Sequence, residues 1–207
     1  GEFEPRDSGY VKTKIAVPEG KEINRIVEEI AVVQSKLCIG LKCGIEPTSK
    51  EYYALMLGGC IFGGSPFSKL FTNVREKLSL AYYASVRTER FKSTMFISSG
   101  IETDKYQAAY DEILVQFNKM KSGDITDSEV VNSKLYLTNG FNSMKDGLRT
   151  MEDYYLSQAI MDNKGEIDDL IEMTNKVTKE EIVEAFNKVE IDTVYFLKGC
   201  ASDGGDE

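Results

Sequence analysis

The chain of 207 residues contains no histidine. The common catalytic zinc sites, Ser-His-Asp triads and Cys-His dyads all need an imidazole as a metal ligand or as a base. None of these sites can be built from this chain alone, so any function that depends on them requires another polypeptide or another part of the same protein.

Cysteine is also scarce, and its spacing argues against a metal site. The four cysteines are Cys38, Cys43, Cys60 and Cys200, and no CxxC pair occurs. Cys38 and Cys43 lie at an odd separation in a strand-like segment, which points their side chains to opposite faces. We therefore expect reduced, mostly buried cysteines rather than a structural zinc site, which would need a second pair.

Long hydrophobic runs are missing as well. No apolar stretch approaches the roughly 20 residues needed to span a bilayer, and no secretory signal pattern is present. These absences favour a cytoplasmic protein. The first three residues, Gly-Glu-Phe, have the look of a cloning remnant, so we expect residues 1–3 to be foreign and residues 4–21 to form a polar lead-in segment.

The chain has few basic residues for its acidic content. It carries 34 Asp and Glu residues against 25 Lys and Arg residues, a formal net charge of -9. A chain of this charge repels nucleic acid and anionic membranes unless one face is locally basic, and no basic run interleaved with aromatic residues occurs. We expect neither nucleic acid nor a membrane as a partner.

Alternating apolar residues, many of them β-branched, predict the strands. The predicted strands cover residues 24–30, 32–44, 81–88, 94–101 and 192–199, with a further short strand at residues 12–17.

Capping signals and apolar residues at helical spacing predict the helices. Ser65 is predicted to N-cap a helix with Pro66 at its first position. Further helices are predicted at residues 106–120 and 148–161. Three predicted capping boxes pair a threonine with a glutamate three residues later: Thr48 with Glu51, Thr126 with Glu129, and Thr178 with Glu181.

The order of these elements predicts the fold class. Helices occur in blocks between strands instead of alternating with them one for one. This order favours an α+β fold with a largely antiparallel sheet and helices packed on one face. We expect one domain over residues 22–198 and a flexible polar tail at residues 199–207.

The glycine-rich stretch GGCIFGGSPFSK does not support a nucleotide site. Gly58 and Gly63 have the spacing of a phosphate-binding loop, but Gly64 and Ser65 stand where that loop needs Lys and Ser or Thr. We expect these glycines to let one helix end and another begin in a tight space. Paired carboxylates along the chain are typical of solvated helix faces and give no acid–base pair.

The stretch VREKLSLAYYA, residues 74–84, joins a helix-forming segment to a strand-forming segment without a loop signal. If the helix ends near Leu80 and the strand begins at Ala81, Arg75 and Tyr82 point into one cleft at the corner. A guanidinium and a phenol are suitable donors to peptide carbonyls or to an oxyanion, although neither activates water unaided. A helix-end salt bridge and an amphipathic tyrosine at a sheet edge are the structural alternative.

The segment GGSPFSKLFTNVREKLSLAYYASV resembles the part of the insulinase (pitrilysin-like) zinc peptidases that reads approximately S-x-L-F-x-x-[LV]-R-E-K-x-G-L-A-Y-x-V. In that family it belongs to the second domain, which holds no metal. The order of the remaining segments agrees, so the resemblance covers about residues 22–198. One departure is Ser79, which stands where the family usually has glycine.

The resemblance implies a clamshell of two similar halves. The first half holds zinc through an H-x-x-E-H motif, and the second supplies an Arg and a Tyr that contact the substrate backbone and the tetrahedral intermediate. On this chain those residues are Arg75 and Tyr82. The resemblance also implies a peptide substrate bound as an extended strand, no zinc in this chain, and zinc in a complementary half or partner subunit.

Two main hypotheses follow, beside a third in which the motif match is a coincidence and the chain is an unrelated α+β binding domain. The chain is either the substrate-clamping second half of a zinc metalloendopeptidase, inactive alone, or a non-catalytic family member that binds a peptide or a partner subunit. The presence of H-x-x-E-H in the complementary half distinguishes them.

Overall fold

A computed structural model describes residues 14–199, which contain a five-stranded sheet. The strands are β1 (Asn24–Ile30), β2 (Ser35–Lys42), β3 (Ala81–Glu89), β4 (Thr94–Ile101) and β5 (Glu190–Gly199). The sequence predicted all five at nearly these positions. Gly199, the first residue of the predicted tail, is the last residue of β5. The rest of that tail and the predicted cloning remnant at residues 1–3 lie outside the described residues.

The strand order across the sheet is β1-β5-β2-β4-β3. β1 pairs with β5 in parallel, and the other three neighbouring pairs are antiparallel. The prediction of an α+β fold with a largely antiparallel sheet is therefore confirmed. β3 lies at one edge of the sheet, and this position matters for the candidate site.

The helices cover one face of the sheet. They are α1 (Glu51–Gly59), α2 (Tyr106–Ser122), α3 (Asp127–Met144), α4 (Leu148–Ile160), α5 (Ile167–Lys176) and α6 (Lys179–Lys188). Two π-helical segments, Cys60–Gly64 and Phe71–Lys77, and a 3₁₀ turn, Thr103–Lys105, complete the helical structure of the described residues. None of the helices between residues 14 and 199 is long and apolar enough to cross a membrane.

Alternation along β2 shows which face is covered. Leu37, Ile39 and Leu41 are buried in the main core, together with residues of α1, α2 and α6. Cys38 and Lys42 point the other way and line an open groove on the uncovered face. This division follows from the two-residue period of a strand, because successive side chains point to opposite faces.

Two of the three predicted capping boxes form. The Thr126 hydroxyl accepts the Glu129 N–H while the Glu129 carboxylate accepts the Thr126 N–H, and Thr178 and Glu181 repeat the arrangement. The predicted box of Thr48 and Glu51 was wrong, because α1 begins at Glu51 after Lys50 with no side-chain cap. The Glu51 carboxylate instead pairs with Lys188 of α6.

The predicted start of the second helix was also wrong. Ser65 does not cap a helix: its buried hydroxyl has no hydrogen-bond partner within the described structure, and residues 66–68 after it are not helical. Helical backbone begins at residue 69, and the Ser68 hydroxyl accepts the N–H of Phe71 at 3.4 Å. The chain needs the intervening residues to turn between two helical segments that both pack against the core.

The predicted strand at residues 12–17 does not form in its described part. Residues 14–17 belong to no strand, although the Ala16 N–H donates to the Lys92 carbonyl at 2.7 Å and the Ala16 carbonyl accepts the Gly44 N–H at 3.1 Å. Two isolated bonds to different loops do not make a ladder. Residues 12 and 13 lie outside the described residues.

Candidate functional site

Arg75 lies on the π-helical segment Phe71–Lys77, whose widened turns are held by specific bonds. The Leu78 N–H donates to the Asn73 carbonyl, five residues back, at 3.2 Å. The Asn73 amide donates to the Lys69 carbonyl at 2.8 Å, which supports the wider spiral from the side. Single π-helical stretches of this kind are frequent at functional sites.

A partly buried ion pair anchors the start of this helical segment. The Lys69 ammonium lies 2.9 Å from the Glu129 carboxylate of α3, and the Lys69 side chain is only 7% exposed. Burial raises the pKa of Glu129, but hydrogen bonds from Thr126 and Lys69 and the charge of Lys69 outweigh it and lower the pKa overall. The segment that carries Arg75 is thus tied to the N-terminus of α3.

The helix ends earlier than the sequence predicted, at Lys77 instead of near Leu80, and a short turn joins it to the strand. The π-helical segment ends at Lys77, three residues before Leu80, and β3 begins at Ala81. Ser79 turns the chain with a φ of +50°, and the Leu80 N–H then donates to the Val74 carbonyl at 2.9 Å. Glycine is the residue usually found in this left-handed conformation, and here a serine adopts it.

Tyr82 lies in a β-bulge at the start of β3. Ala81 faces Ile101 and Tyr83 faces Gly100, so Tyr82 is the extra residue between two consecutive pairs. A bulge redirects the side chain of its extra residue, and bulges are over-represented next to active sites. Tyr82 is 57% exposed.

The structure brings Arg75 and Tyr82 to one open cavity of about 380 Å³, as the sequence predicted. No hydrogen bond joins the two side chains to each other. The Tyr82 hydroxyl instead donates to the Glu102 carboxylate at 3.4 Å. The residues that line this cavity, called here the corner pocket, are Arg75, Ser79, Leu80, Ala81, Tyr82, Glu102 and Lys105.

The corner pocket keeps one cation without an anionic partner. Arg75 stacks on the Phe71 ring, with its guanidinium carbon 4.7 Å from the ring centroid, and makes no ion pair with any residue from 14 to 199. Lys105 does pair, at 3.0 Å from Glu102, and this hydrogen bond is the main cause of a raised Lys105 pKa. A carbonyl or an anion that enters the pocket meets an uncommitted guanidinium.

Glu102 and Lys105 were not predicted as site residues. They belong to the sequence IETDK at the end of β4, which has the polar composition of an ordinary turn. No local pattern marks them, because their place in the pocket depends on the pairing of β4 with β3. The bulge at Tyr82 is equally invisible in the sequence, since alternation alone predicts a regular strand.

The described residues offer no zinc site. Between residues 14 and 199 no group of three potential ligands has the geometry to hold a metal ion. Burial raises the pKa of the Cys43 thiol to about 12 and also raises that of Cys60. Because the thiolate is the form that attacks and binds metals, these two residues are inert structural cysteines. Cys200 lies outside the described residues.

An α+β half-domain with this corner has clear relatives among known proteins. The family model described as "Peptidase M16 inactive domain" matches residues 1–137. A protein of Bacillus subtilis (strain 168) named "Probable inactive metalloprotease YmfF" is 37% identical over 196 residues, covering 95% of this chain and 46% of its own length. An "Uncharacterized zinc protease YmxG" of the same organism is 28% identical over 163 residues and is covered to 37%.

Solved structures agree. A conserved protein from Enterococcus faecalis V583 superposes with a TM-score of 0.89 at 30% identity, over 97% of this chain and 48% of that one. The peptidase M16 inactive domain from Pseudomonas fluorescens superposes with a TM-score of 0.74 at 15% identity, over 87% of this chain and 45% of that one. The second likeness is one of fold alone.

This chain belongs to the M16 peptidase family and is an inactive-domain member of it, which confirms the resemblance to the insulinase-type peptidases. It spans less than half the length of the curated relatives that it matches.

Proposed function

We propose that this chain is the substrate-binding half of a zinc metalloendopeptidase, in which Arg75 and Tyr82 hold the peptide while a complementary half supplies zinc and the attacking water. The observation that carries the proposal is the corner pocket, where both side chains reach one open cavity. The proposal extends to a cytoplasmic location, which fractionation of expressing cells tests.

The position of β3 supports an extended peptide as the ligand. β3 is the last strand in the order β1-β5-β2-β4-β3, so its outer edge pairs with no other strand of the described residues. An unpaired edge offers N–H and C=O groups to an extended chain, the binding mode called β-augmentation. The corner pocket lies where this edge meets the helix that carries Arg75.

The chemistry of the pair fits a peptide backbone. Arg75 presents N–H donors that no carboxylate of the described structure occupies, and the Tyr82 hydroxyl is held only by a long bond to Glu102. Both groups can donate to a peptide carbonyl, and both bind an oxyanion more strongly than a neutral carbonyl. Neither can deprotonate water at neutral pH, so this half binds and stabilises but does not attack.

The test compares Arg75→Ala and Tyr82→Phe with the wild type in the protein assembled from this chain and its complementary half. The ligand is a mixture of fluorescein-labelled casein peptides, and binding is followed by fluorescence anisotropy. We expect both variants to bind peptide more weakly. Where the assembled protein cleaves the peptides, turnover falls by roughly 100- to 1,000-fold per lost transition-state hydrogen bond, with zinc content unchanged.

Two matched variants control for loss of an arginine or a phenol elsewhere. Arg149→Ala removes an exposed arginine of α4. Tyr136→Phe removes the hydroxyl of a tyrosine on α3, and the Tyr136 ring contacts Phe67 outside the pocket. Both are expected to bind peptide like the wild type. Wild-type affinity and wild-type turnover in both Arg75→Ala and Tyr82→Phe would overturn the proposal.

A second candidate is a non-catalytic peptide-binding or partner subunit. The observation that favours it is the name of the 37% identical relative, "Probable inactive metalloprotease YmfF". Under this alternative the complementary half lacks H-x-x-E-H, and the assembled protein binds the labelled peptides without cleaving them when zinc is added. Zinc-dependent cleavage by the assembled protein that is lost in Arg75→Ala selects the first candidate.

A further inference from the structure

Lys105 connects the two walls of the corner pocket. It is the last residue of the 3₁₀ turn Thr103–Lys105, which follows β4. Its ammonium donates to the Ser79 carbonyl at 3.3 Å and to the Glu102 carboxylate at 3.0 Å. One side chain therefore bridges the end of β4 and the corner between helix and β3.

The backbone conformation at Ser79 sets the angle between the helix and β3, and Lys105 binds its carbonyl. Ser79 has a φ of +50°, in the left-handed region that L-residues with a side chain rarely adopt. Only Ser79 and Leu80 follow the cap residue Leu78 before β3 begins, so the backbone angle at Ser79 sets the direction of the strand relative to the helix. An ammonium on its carbonyl stabilises that disfavoured conformation.

The other partner of Lys105 leads to Tyr82. Glu102 accepts hydrogen bonds from both the Lys105 ammonium and the Tyr82 hydroxyl through the same oxygen, Oε1. Lys105 thus contacts the residue that turns the chain between Arg75 and Tyr82, and it also contacts the carboxylate that holds the Tyr82 hydroxyl.

We propose that Lys105 is a positioning residue of the corner pocket: its ammonium, itself held by Glu102, fixes the Ser79 corner and so holds Arg75 and Tyr82 at the separation to which a peptide binds. The inference rests on the proposed function, because it assigns Lys105 a part in the same peptide site. It differs from a direct contact, since Lys105 acts through the backbone of Ser79.

The experiment is a double-mutant cycle between Lys105→Met and Ser79→Gly in the assembled protein, with anisotropy of the labelled casein peptides. Lys105→Met is expected to weaken peptide binding by roughly 5-fold, which is within the range for exposed charge-assisted bonds. Glycine adopts the left-handed conformation without a side-chain penalty. In the Ser79→Gly background the loss caused by Lys105→Met therefore falls below about 2-fold.

The same cycle separates positioning from direct contact. Lys105→Arg keeps the cation and is expected to restore most of the affinity. Lys176→Met, which removes an exposed lysine paired with Glu172 on α5, serves as the control and leaves affinity unchanged. A full loss on Lys105→Met that persists in the Ser79→Gly background overturns the inference, because a lysine that touches the peptide does not depend on Ser79.

A measurement without peptide distinguishes failure of this inference from failure of the proposed function. The ¹⁹F NMR signal of 3-fluorotyrosine at position 82 is expected to shift in Lys105→Met and to return toward its original position in the double variant with Ser79→Gly. If Arg75→Ala and Tyr82→Phe bind peptide normally while this shift is seen, the proposed peptide site is wrong, but the positioning of Tyr82 by Lys105 is supported. An unshifted signal and unchanged affinity in Lys105→Met overturn the positioning role alone.

Discussion

The guanidinium of Arg75 stacks on the ring of Phe71, one turn earlier in the same π-helical segment, at 4.7 Å from the ring centroid. The wide turns of this segment place residues four apart on nearly the same side of the helix. Phe71 therefore orients Arg75 without using any of its N–H donors, and Arg75 is exposed where it lines the corner pocket.

Phe71→Leu is expected to weaken peptide binding because it removes the ring that orients Arg75 while it keeps a residue of similar hydrophobicity. An exposed cation–π contact is worth about 0.5–1 kcal/mol, which corresponds to roughly 2- to 5-fold in affinity. Fluorescence anisotropy with the labelled casein peptides measures the change. In an Arg75→Ala background the same substitution should have no further effect, and an equal loss in both backgrounds would show that Phe71 acts independently of Arg75.

The Lys69–Glu129 pair predicts a specific loss of stability. Glu129→Gln leaves the ammonium of Lys69 buried without its carboxylate, although glutamine can still accept from the Thr126 N–H. We expect the free energy of unfolding to fall by about 1–3 kcal/mol at pH 7, measured by urea denaturation. Glu172→Gln, at an exposed pair with Lys176, is the matched control and should unfold like the wild type.

The same pair predicts how that difference depends on pH. The folded-state pKa of Glu129 lies below its ordinary value of 4.5. A group with a lowered folded pKa contributes stability that is complete above the unfolded pKa and is lost as pH falls through the folded pKa. The gap in stability between wild type and Glu129→Gln should therefore be constant above pH 5 or so and shrink at lower pH. A gap that is unchanged down to the acid unfolding transition contradicts the pairing.

Zinc supplies a further prediction. The chain has no histidine, and its described residues hold no group of three ligands arranged for a metal ion. The isolated chain is expected to release no fragments from casein when incubated with added zinc, as judged by mass spectrometry. Bovine serum albumin, which binds zinc but is not a peptidase, provides the background. Cleavage that needs zinc and exceeds this background would show that the chain carries a metal centre of its own.

Local signals in the sequence were enough to predict much of this fold. Alternation located all five strands, and the paired threonine and glutamate at 126 and 129 marked the start of α3 because a capping box is complete within four residues. The helix-to-strand corner was likewise visible, since Arg75 and Tyr82 lie only seven residues apart.

Features set by distant segments could not be predicted in this way. The parallel pairing of β1 with β5 joins residues about 170 positions apart, and nothing near either strand specifies it. The bulge at Tyr82 arises from its register with β4, and Lys105 enters the pocket through the same register. α5 was not assigned as a separate helix because Glu166, an uncommon N-cap residue, starts it with Asp169 as the reciprocal partner.

Gly63, in the π-helical segment Cys60–Gly64, lies close to β3. A Cβ on Gly63 would lie 2.4 Å from Cγ2 and 3.0 Å from the backbone nitrogen of Val86, on the strand that carries Tyr82. Gly63→Ala must therefore push the π-helical segment Cys60–Gly64 away from β3, and we expect a loss of about 1–3 kcal/mol in the free energy of unfolding.

Gly140 is the matched control, because it lies within α3 and a Cβ there meets no atom within 4 Å. Alanine forms helix better than glycine, so Gly140→Ala should raise the free energy of unfolding by up to about 1 kcal/mol. Urea denaturation of the two variants beside the wild type measures both effects. The change in the free energy of unfolding should be negative for Gly63→Ala and positive for Gly140→Ala, because only Gly63 lies close to Val86. Equal stability of the two alanine variants would contradict that contact.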